Sequence, residues 1–249
     1  SKMGSGEPLI ILHGLFGSHK NWQSISRIYA NHFDVYTLDL RNHGSSFHHE
    51  DMDYPLMAAD VRRLLDHLGI DSCRMIGHSM GGKTAMLMAW EYPGLISRLV
   101  VGDIAPVSYL HAFDHFIDPI LSVRLGQIRS RAEVDQILQE YIPDTLMRSF
   151  LLHNLSRENS GLRWNVNWHA IQTNMHHITG FPDLPVNWAV ATPALFIRGE
   201  KSDYVGQEER AVISNHFSSA TFTSLAQAGH WLHAEQPRQF VQETLDFLL

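Results

Sequence analysis

The first place in this 249-residue chain where residue type and spacing point to chemistry is the serine of Gly77-His78-Ser79-Met80-Gly81. The G-x-S-x-G pattern carries a mechanism when it lies between a strand and a helix. The sharp turn forces the serine into a positive-φ conformation, and flanking residues without Cβ let strand and helix approach closely. Ser79 Oγ then projects above a sheet, with the Met80 N–H at a helix N-terminus, where developing negative charge is stabilised. The pentapeptide alone arises by chance in roughly one in ten chains of this size at ordinary residue usage, so its context decides.

A serine hydroxyl is a poor nucleophile at neutral pH and needs a base within hydrogen-bond reach. Among 17 histidines, His230 in Ala228-Gly229-His230-Trp231 is the best placed, in a loop between the last strand and the last helix. In a parallel sheet that loop opens on the same carboxyl edge as Ser79. His233 is expected at the surface or capping the next helix, His78 pointing away from the nucleophile, and His13 supporting its own loop. A buried carboxylate should orient the imidazole. Asp103, in Gly102-Asp103-Ile104-Ala105-Pro106, and Asp203, in Gly199-Glu200-Lys201-Ser202-Asp203-Tyr204, both follow strands, and the residues alone do not choose between them. His13-Gly14-Leu15-Phe16-Gly17 follows the first strand. There the Leu15 N–H pairs with the Met80 N–H as an expected oxyanion hole, whose single-donor loss costs about 10²- to 10³-fold in rate.

The elements that must position these groups alternate between strand and helix, the pattern of a parallel α/β sheet. Strands are expected at Pro8–Leu12, Val35–Leu38, Arg74–Ile76, Leu99–Val101, Ala194–Ile197 and Thr221–Ser224. Helical faces run through Trp22, Ile25, Ile28 and Tyr29, and through Met57, Val61, Leu64, Leu65 and Leu68. Further helices are expected from Gly82 to about Glu91, from Glu208 to Phe217, and from Pro237 with Phe240, Val241, Thr244 and Phe247 on one face. Between Asp103 and Ala194 no strand is expected, only helical stripes such as Val134, Ile137, Leu138 and Tyr141. A structureless loop of that length is implausible in a compact domain. The reading is therefore a core of 1–104 and 187–249 with a helical insertion at 105–186.

Composition excludes several function classes. With 44% hydrophobic and 18% charged residues the chain is neither disordered nor fibrous. Its 26 acidic against 19 basic side chains, net -7, repel phosphate backbones, so nucleic acid is not an expected partner. The single cysteine, Cys73, cannot form an internal disulfide, which makes the cytoplasm the default location. No window approaches the ~18 to 20 apolar residues that cross a bilayer, and residues 1–6 lack a signal-peptide core and read as a remnant outside the fold.

Together, His13-Gly14, the serine elbow and Gly229-His230 stand in the order found in the α/β-hydrolase superfamily, which the chain resembles over nearly its whole length. The stretches His13-Gly14-Leu15-Phe16-Gly17-Ser18, Asp39-Leu40-Arg41-Asn42-His43-Gly44, Gly77-His78-Ser79-Met80-Gly81-Gly82-Lys83 and Asp103-Ile104-Ala105-Pro106-Val107 resemble the YbfF-type capped bacterial esterases. That resemblance implies a mostly parallel sheet with a helical cap at 105–186, and hydrolysis of carboxylic esters or acyl thioesters through an acyl-serine without a cofactor. It also implies Asp103 as the acid of the triad, with Asp203 the alternate. The common superfamily acid position falls on Ser202, one residue before Asp203. One departure stands out: many hydrolases of this type begin with an antiparallel hairpin, but only eight residues precede Leu9, so that hairpin is expected to be absent or vestigial.

Phe16, Tyr109, Trp164, Trp188 and Trp231 are the aromatic candidates for an apolar substrate pocket. His48-His49-Glu50-Asp51 and His176-His177 lack the spacing of a metal site, so no metal is expected. A carbon-carbon bond hydrolase, a lactonase or a ligand-binding receptor with vestigial turnover would use the same constellation. The expected partner is a small acyl ester or thioester; the sequence carries no signal for an oligomeric state.

Overall fold

The computed structural model describes residues 1–110, 113–158 and 161–249. In chain order the strands are β1 (Lys2–Gly4), β2 (Pro8–Leu12), β3 (Asp34–Leu38), β4 (Cys73–His78), β5 (Ile96–Gly102), β6 (Leu155–Glu158), β7 (Gly161–Trp164), β8 (Ala194–Gly199) and β9 (Ala220–Leu225). The helices are α1 (Gln23–Tyr29), α2 (Tyr54–Leu68), α3 (Met80–Glu91), α4 (Asp114–Ser122), α5 (Arg131–Leu138), α6 (Thr145–Leu152), α7 (Trp168–Thr173), α8 (Met175–Thr179), α9 (Gln207–His216), α10 (Leu232–Glu235) and α11 (Pro237–Leu248).

One sheet, ordered β1-β3-β2-β4-β5-β8-β9, carries the fold, and only β1 runs antiparallel to its neighbour. The apolar run of β2 shows why. Leu9 and Ile11 enter one core, shared with Trp22, Ile25 and Phe240, while Ile10 and Leu12 enter the other, shared with Met57, Val61 and Leu99. A strand buried on both faces has no polar positions to alternate, which is the signature of a central parallel strand. Local chemistry sets the helix ends. α2 starts where the Asp53 carboxylate accepts the Leu56 N–H at 2.8 Å and stops at Gly69, whose φ of +67° few other residues tolerate. The chain leaves β2 for β3 on one side and reaches β4 on the other. The loops after β2 and β4 therefore diverge at a topological switch point, the crevice in which α/β sheets bind ligands.

Several expectations are corrected. Lys2–Gly4 lies within the fold, as a strand antiparallel to Asp34–Tyr36, where a vestige of the leading antiparallel hairpin was expected. The long stretch after Asp103 is not strandless: β6 and β7 form an antiparallel pair joining Leu155 to Trp164. That hairpin is short and half-exposed, so it leaves no buried apolar run to read. Four residues placed on buried helical faces, Ile28, Leu68, Ile137 and Tyr141, are exposed: the first three lie at the rim of their apolar stripes, where a 100°-wide face ends, and Tyr141 lies in the turn beyond the end of α5. α3 begins at Met80, two residues before the expected start, since the elbow leads directly into the helix.

Between β5 and β8, α4 to α8 and the β6–β7 pair dock onto the loops at the carboxyl edge. The Asn154 amide donates to the Phe16 carbonyl at 2.7 Å, the Asn167 N–H to the Asn42 carbonyl at 2.9 Å, and Trp168 packs on Phe16 with ring centroids 5.0 Å apart.

Candidate active site

Ser79 has φ 52° and ψ -120°, a strained conformation for a residue with a side chain. The surroundings enforce it. A Cβ added at Gly81 would stand 2.5 Å from the Leu12 carbonyl oxygen and 2.6 Å from that of His13, so only glycine lets α3 start this close to β2. Ser79 N–H donates to the Gly102 carbonyl at 2.9 Å, which ties the elbow to the end of β5.

Three side chains from separate strand ends meet here. His230 Nε2 lies 3.0 Å from Ser79 Oγ, and His230 Nδ1 lies 2.8 Å from Asp103 Oδ2. An ionised carboxylate only accepts, so Nδ1 carries the proton and Nε2 presents its lone pair to the serine hydroxyl. Asp103 is fully buried, with φ 50°. Its Oδ1 accepts the Gly199 N–H at 3.1 Å, and its Oδ2 also accepts the Ser202 hydroxyl in a short bond. A buried carboxylate is tolerable when its lone pairs are filled in this way. Asp203 is exposed, and among the described residues the carboxylate bonded to His230 is that of Asp103. The serine at the common acid position thus holds the Asp103 carboxylate instead.

The oxyanion loop is equally constrained. His13 Nε2 accepts the Leu40 N–H at 3.0 Å and its Nδ1–H donates to the Gly14 carbonyl at 2.8 Å. His43 Nε2 takes the Phe16 N–H at 3.2 Å, and Phe16 is held at φ 61°. Phe16's amide is thereby occupied, whereas the Leu15 and Met80 amides donate to no protein group among the described residues. A Cβ on Gly14 would lie 3.2 Å from that of Ser79, so this loop borders the Ser79 side chain.

His78 does turn away from Ser79 Oγ: its Nε2–H donates to the His230 carbonyl at 2.7 Å, bracing the loop of the base. Glu235 braces it from the other side, accepting the Gly229 N–H at 2.7 Å and the Trp231 N–H at 3.1 Å. Tyr204 stacks on the His230 ring at 4.0 Å and 17°. Glu235 and Tyr204 were not anticipated; a carboxylate six residues after Gly229 at a helix start was the available signal for the first, and Tyr204 had none. His233 is corrected: it is buried, not surface-facing, and stacks on Trp22 at 4.1 Å.

Burial holds four of these histidines neutral. It pushes His43 and His233 down to about 3, lowers His78 well below the ordinary value, aided by His230 and His233, and lowers His13. A neutral native histidine takes up a proton on unfolding below about 6.5, so this part of the stability is complete above that pH and is lost as pH falls toward 3. Urea midpoints at about pH 7.5, 6 and 5 should decline in that order. A flat profile would mean that these rings are protonated in the fold.

Beside Ser79 opens a cavity of about 390 Å³, with Phe16, Phe116, Met147, Phe150 and Trp231 among its walls. Of the expected pocket aromatics, Phe16 and Trp231 line it, and Tyr109 lines a smaller pocket that Ser79 also borders. Trp164 and Trp188 are corrected. Trp164 packs edge-on against Trp168, one ring removed from Phe16, and Trp188 is stacked on His216 at 4.1 Å against the β8–β9 side of the core. Both serve as packing, the commoner use of a large ring. Phe113, Phe116, Met147 and Phe150 supply the walls instead, and nothing in their sequence spacing marks them.

No group of three or more His, Cys, Asp or Glu with metal-binding geometry occurs among the described residues. No helix among them is long and apolar enough to cross a membrane.

A family profile described as alpha/beta hydrolase fold matches residues 7–237. The chain is 39% identical over 251 residues to a Xenopus tropicalis protein named sn-1-specific diacylglycerol lipase ABHD11, covering 98% of this chain and 78% of that one. It is 34% identical over 234 residues to Esterase YbfF of Escherichia coli, covering 94% of this chain and 89% of that one. Among solved structures, one titled Marine microorganism esterase superposes with a TM-score of 0.95 at 40% identity, covering 99% of this chain and 97% of that chain.

Proposed function

Because the chain belongs to the alpha/beta hydrolase fold family, we propose that it is a serine carboxylesterase, acting on carboxylic esters and acyl thioesters through Ser79, His230 and Asp103. The observation that carries this reading is the continuous path from Ser79 Oγ through His230 to the buried Asp103, at 3.0 and 2.8 Å.

In this mechanism Ser79 Oγ attacks the carbonyl carbon while its proton passes to His230 Nε2. The carbonyl oxygen becomes an oxyanion and accepts the Leu15 and Met80 N–H groups, the second at the N-terminus of α3. The tetrahedral intermediate collapses as His230 protonates the leaving alkoxide or thiolate, which leaves an acyl-serine. Water then attacks the acyl carbon, His230 takes its proton, and collapse returns that proton to Ser79. Asp103 keeps the imidazole in the required tautomer and stabilises its charged form. No step needs a cofactor.

The segment 105–186 acts in this reading as a cap on a core of 1–104 and 187–249, since Phe113, Phe116, Met147 and Phe150 come from it. Phe16, Trp231 and, behind the nucleophile, Tyr109 complete the substrate-binding surface. The buried free thiol of Cys73 suits a reducing, cytoplasmic setting.

A fluorophosphonate should leave one adduct, on the peptide containing Ser79, and p-nitrophenyl acetate should give a burst of p-nitrophenol matching the enzyme concentration. Adducts on another residue, or hydrolysis with no labelling at all, would overturn the assignment.

A further inference from the structure

Ser79 lines two cavities of unequal size. The larger, about 390 Å³, includes His230 and Trp231 in its wall. The smaller, about 40 Å³, is lined by Tyr54, Met80, Lys83, Ile104, Tyr109 and Ile178, and His230 is not among its residues. The two substituents on an ester carbonyl leave the reacting carbon in different directions, so each cavity takes one of them.

Proton transfer decides which. The leaving oxygen must receive its proton from His230 Nε2, so the alcohol has to depart on the side that His230 lines. The acyl chain, which stays on Ser79 after the alcohol has gone, is then directed into the smaller cavity. Its volume is about a tenth of the larger cavity's, so it takes the smaller of the two substituents.

The walls of the smaller cavity are pinned. The Tyr54 hydroxyl donates to the Ile178 carbonyl at 2.5 Å, and Lys83 Nζ donates to the carbonyls of Thr179 at 2.9 Å and Gly180 at 2.5 Å. Lys83 is buried one turn beyond Ser79 on α3, its ammonium 4.8 Å from the centre of the Tyr109 ring. Making room for a longer chain would break bonds between buried groups, which costs more than the added methylenes return.

We infer that this chain selects esters of short acids with bulky apolar or aromatic alcohols. The inference rests on the ester-hydrolase reading above and adds the direction in which the substrate lies.

Two substrate series test it. With p-nitrophenol as the constant alcohol, kcat/KM should fall at least about tenfold between butyrate and octanoate, the scale on which a filled pocket rejects added methylenes. With acetate as the constant acid, kcat/KM should hold or rise from methyl to benzyl and naphthyl esters. Phe113 lines both cavities, so Phe113→Ala should open the partition and raise the octanoate-to-butyrate ratio about tenfold. Wild-type octanoate matching butyrate while large alcohols are rejected would overturn the inference, as would an unchanged ratio in a folded Phe113→Ala protein. Should that variant fail to fold, the two wild-type series decide alone. Failure of the ester reading itself looks different: no ester would then be turned over faster by the wild type than by Ser79→Ala.

Discussion

Replacing Ser79 by alanine should lower kcat for p-nitrophenyl acetate by about 10⁵- to 10⁶-fold, the scale seen when a serine nucleophile is removed from a comparable triad. In the proposed mechanism Ser79 Oγ becomes bonded to the acyl group, and it lies 3.0 Å from His230 Nε2. His230→Ala should cost a similar factor, because an unassisted serine hydroxyl scarcely attacks at neutral pH. The double variant should be hardly worse than either single one, since two groups that act as a unit are not additive. Residual turnover should persist above the uncatalysed rate, because the Leu15 and Met80 amides and the cavity are untouched. Alanine keeps the Cβ and the φ of the turn and gives up one hydrogen bond, to His230, so melting temperature should stay near the wild-type value. A Ser79→Ala protein keeping a tenth of wild-type kcat would remove Ser79 from the mechanism.

Asp103→Asn is expected to lower kcat by as much as about 10⁴-fold, whereas Asp203→Asn should keep most of the activity. An asparagine at 103 can present its NH₂ to His230 Nδ1, which then must accept, placing the ring proton on Nε2 where it blocks transfer from Ser79. The amide is nearly the shape of the carboxylate and still offers an oxygen to the Gly199 N–H, so folding should be near normal. Asp203 is exposed, and a surface carboxylate other than the one bonded to the base has no comparable effect to lose. Measuring kcat for both variants beside their circular dichroism tests the pair. The reverse ranking would move the role to Asp203, and comparable partial losses would mean that the carboxylates share it.

How far the amino-acid order reaches is clearest at these same residues. Ser79 was legible because its strain is local: glycine at 77 and 81, a strand before and a helix after are all the elbow needs, and each is written within a few residues. The parallel core was legible for a similar reason. Strands such as Leu9–Leu12 are buried on both faces and read as uninterrupted apolar runs, whatever their neighbours are. His230 followed from its place after the last strand.

What lay beyond the linear pattern depended on which strand ends become neighbours. Asp103 and Asp203 each follow a strand, and nothing in either stretch alone separates them. The sheet does, by setting β5 between β4 and β8, so that Asp103 turns at φ 50° beneath the His230 ring while Ser202 and Gly199 from the β8 end close over its carboxylate. Trp164 and Trp188 went to packing, and Phe113, Phe116, Met147 and Phe150 to the cavity, because a side chain's use in an inserted segment depends on how that segment docks. Hydrophobicity says that a ring will be buried and not against what. The chain order by itself determined the strained turn at Ser79, the late loop that carries His230 and the parallel core, which rest on short-range sterics and burial. Tertiary structure alone decided the acid's contacts, the cavity walls and the unequal spaces that Ser79 lines, because each is made by residues that meet only after the sheet has aligned its edges.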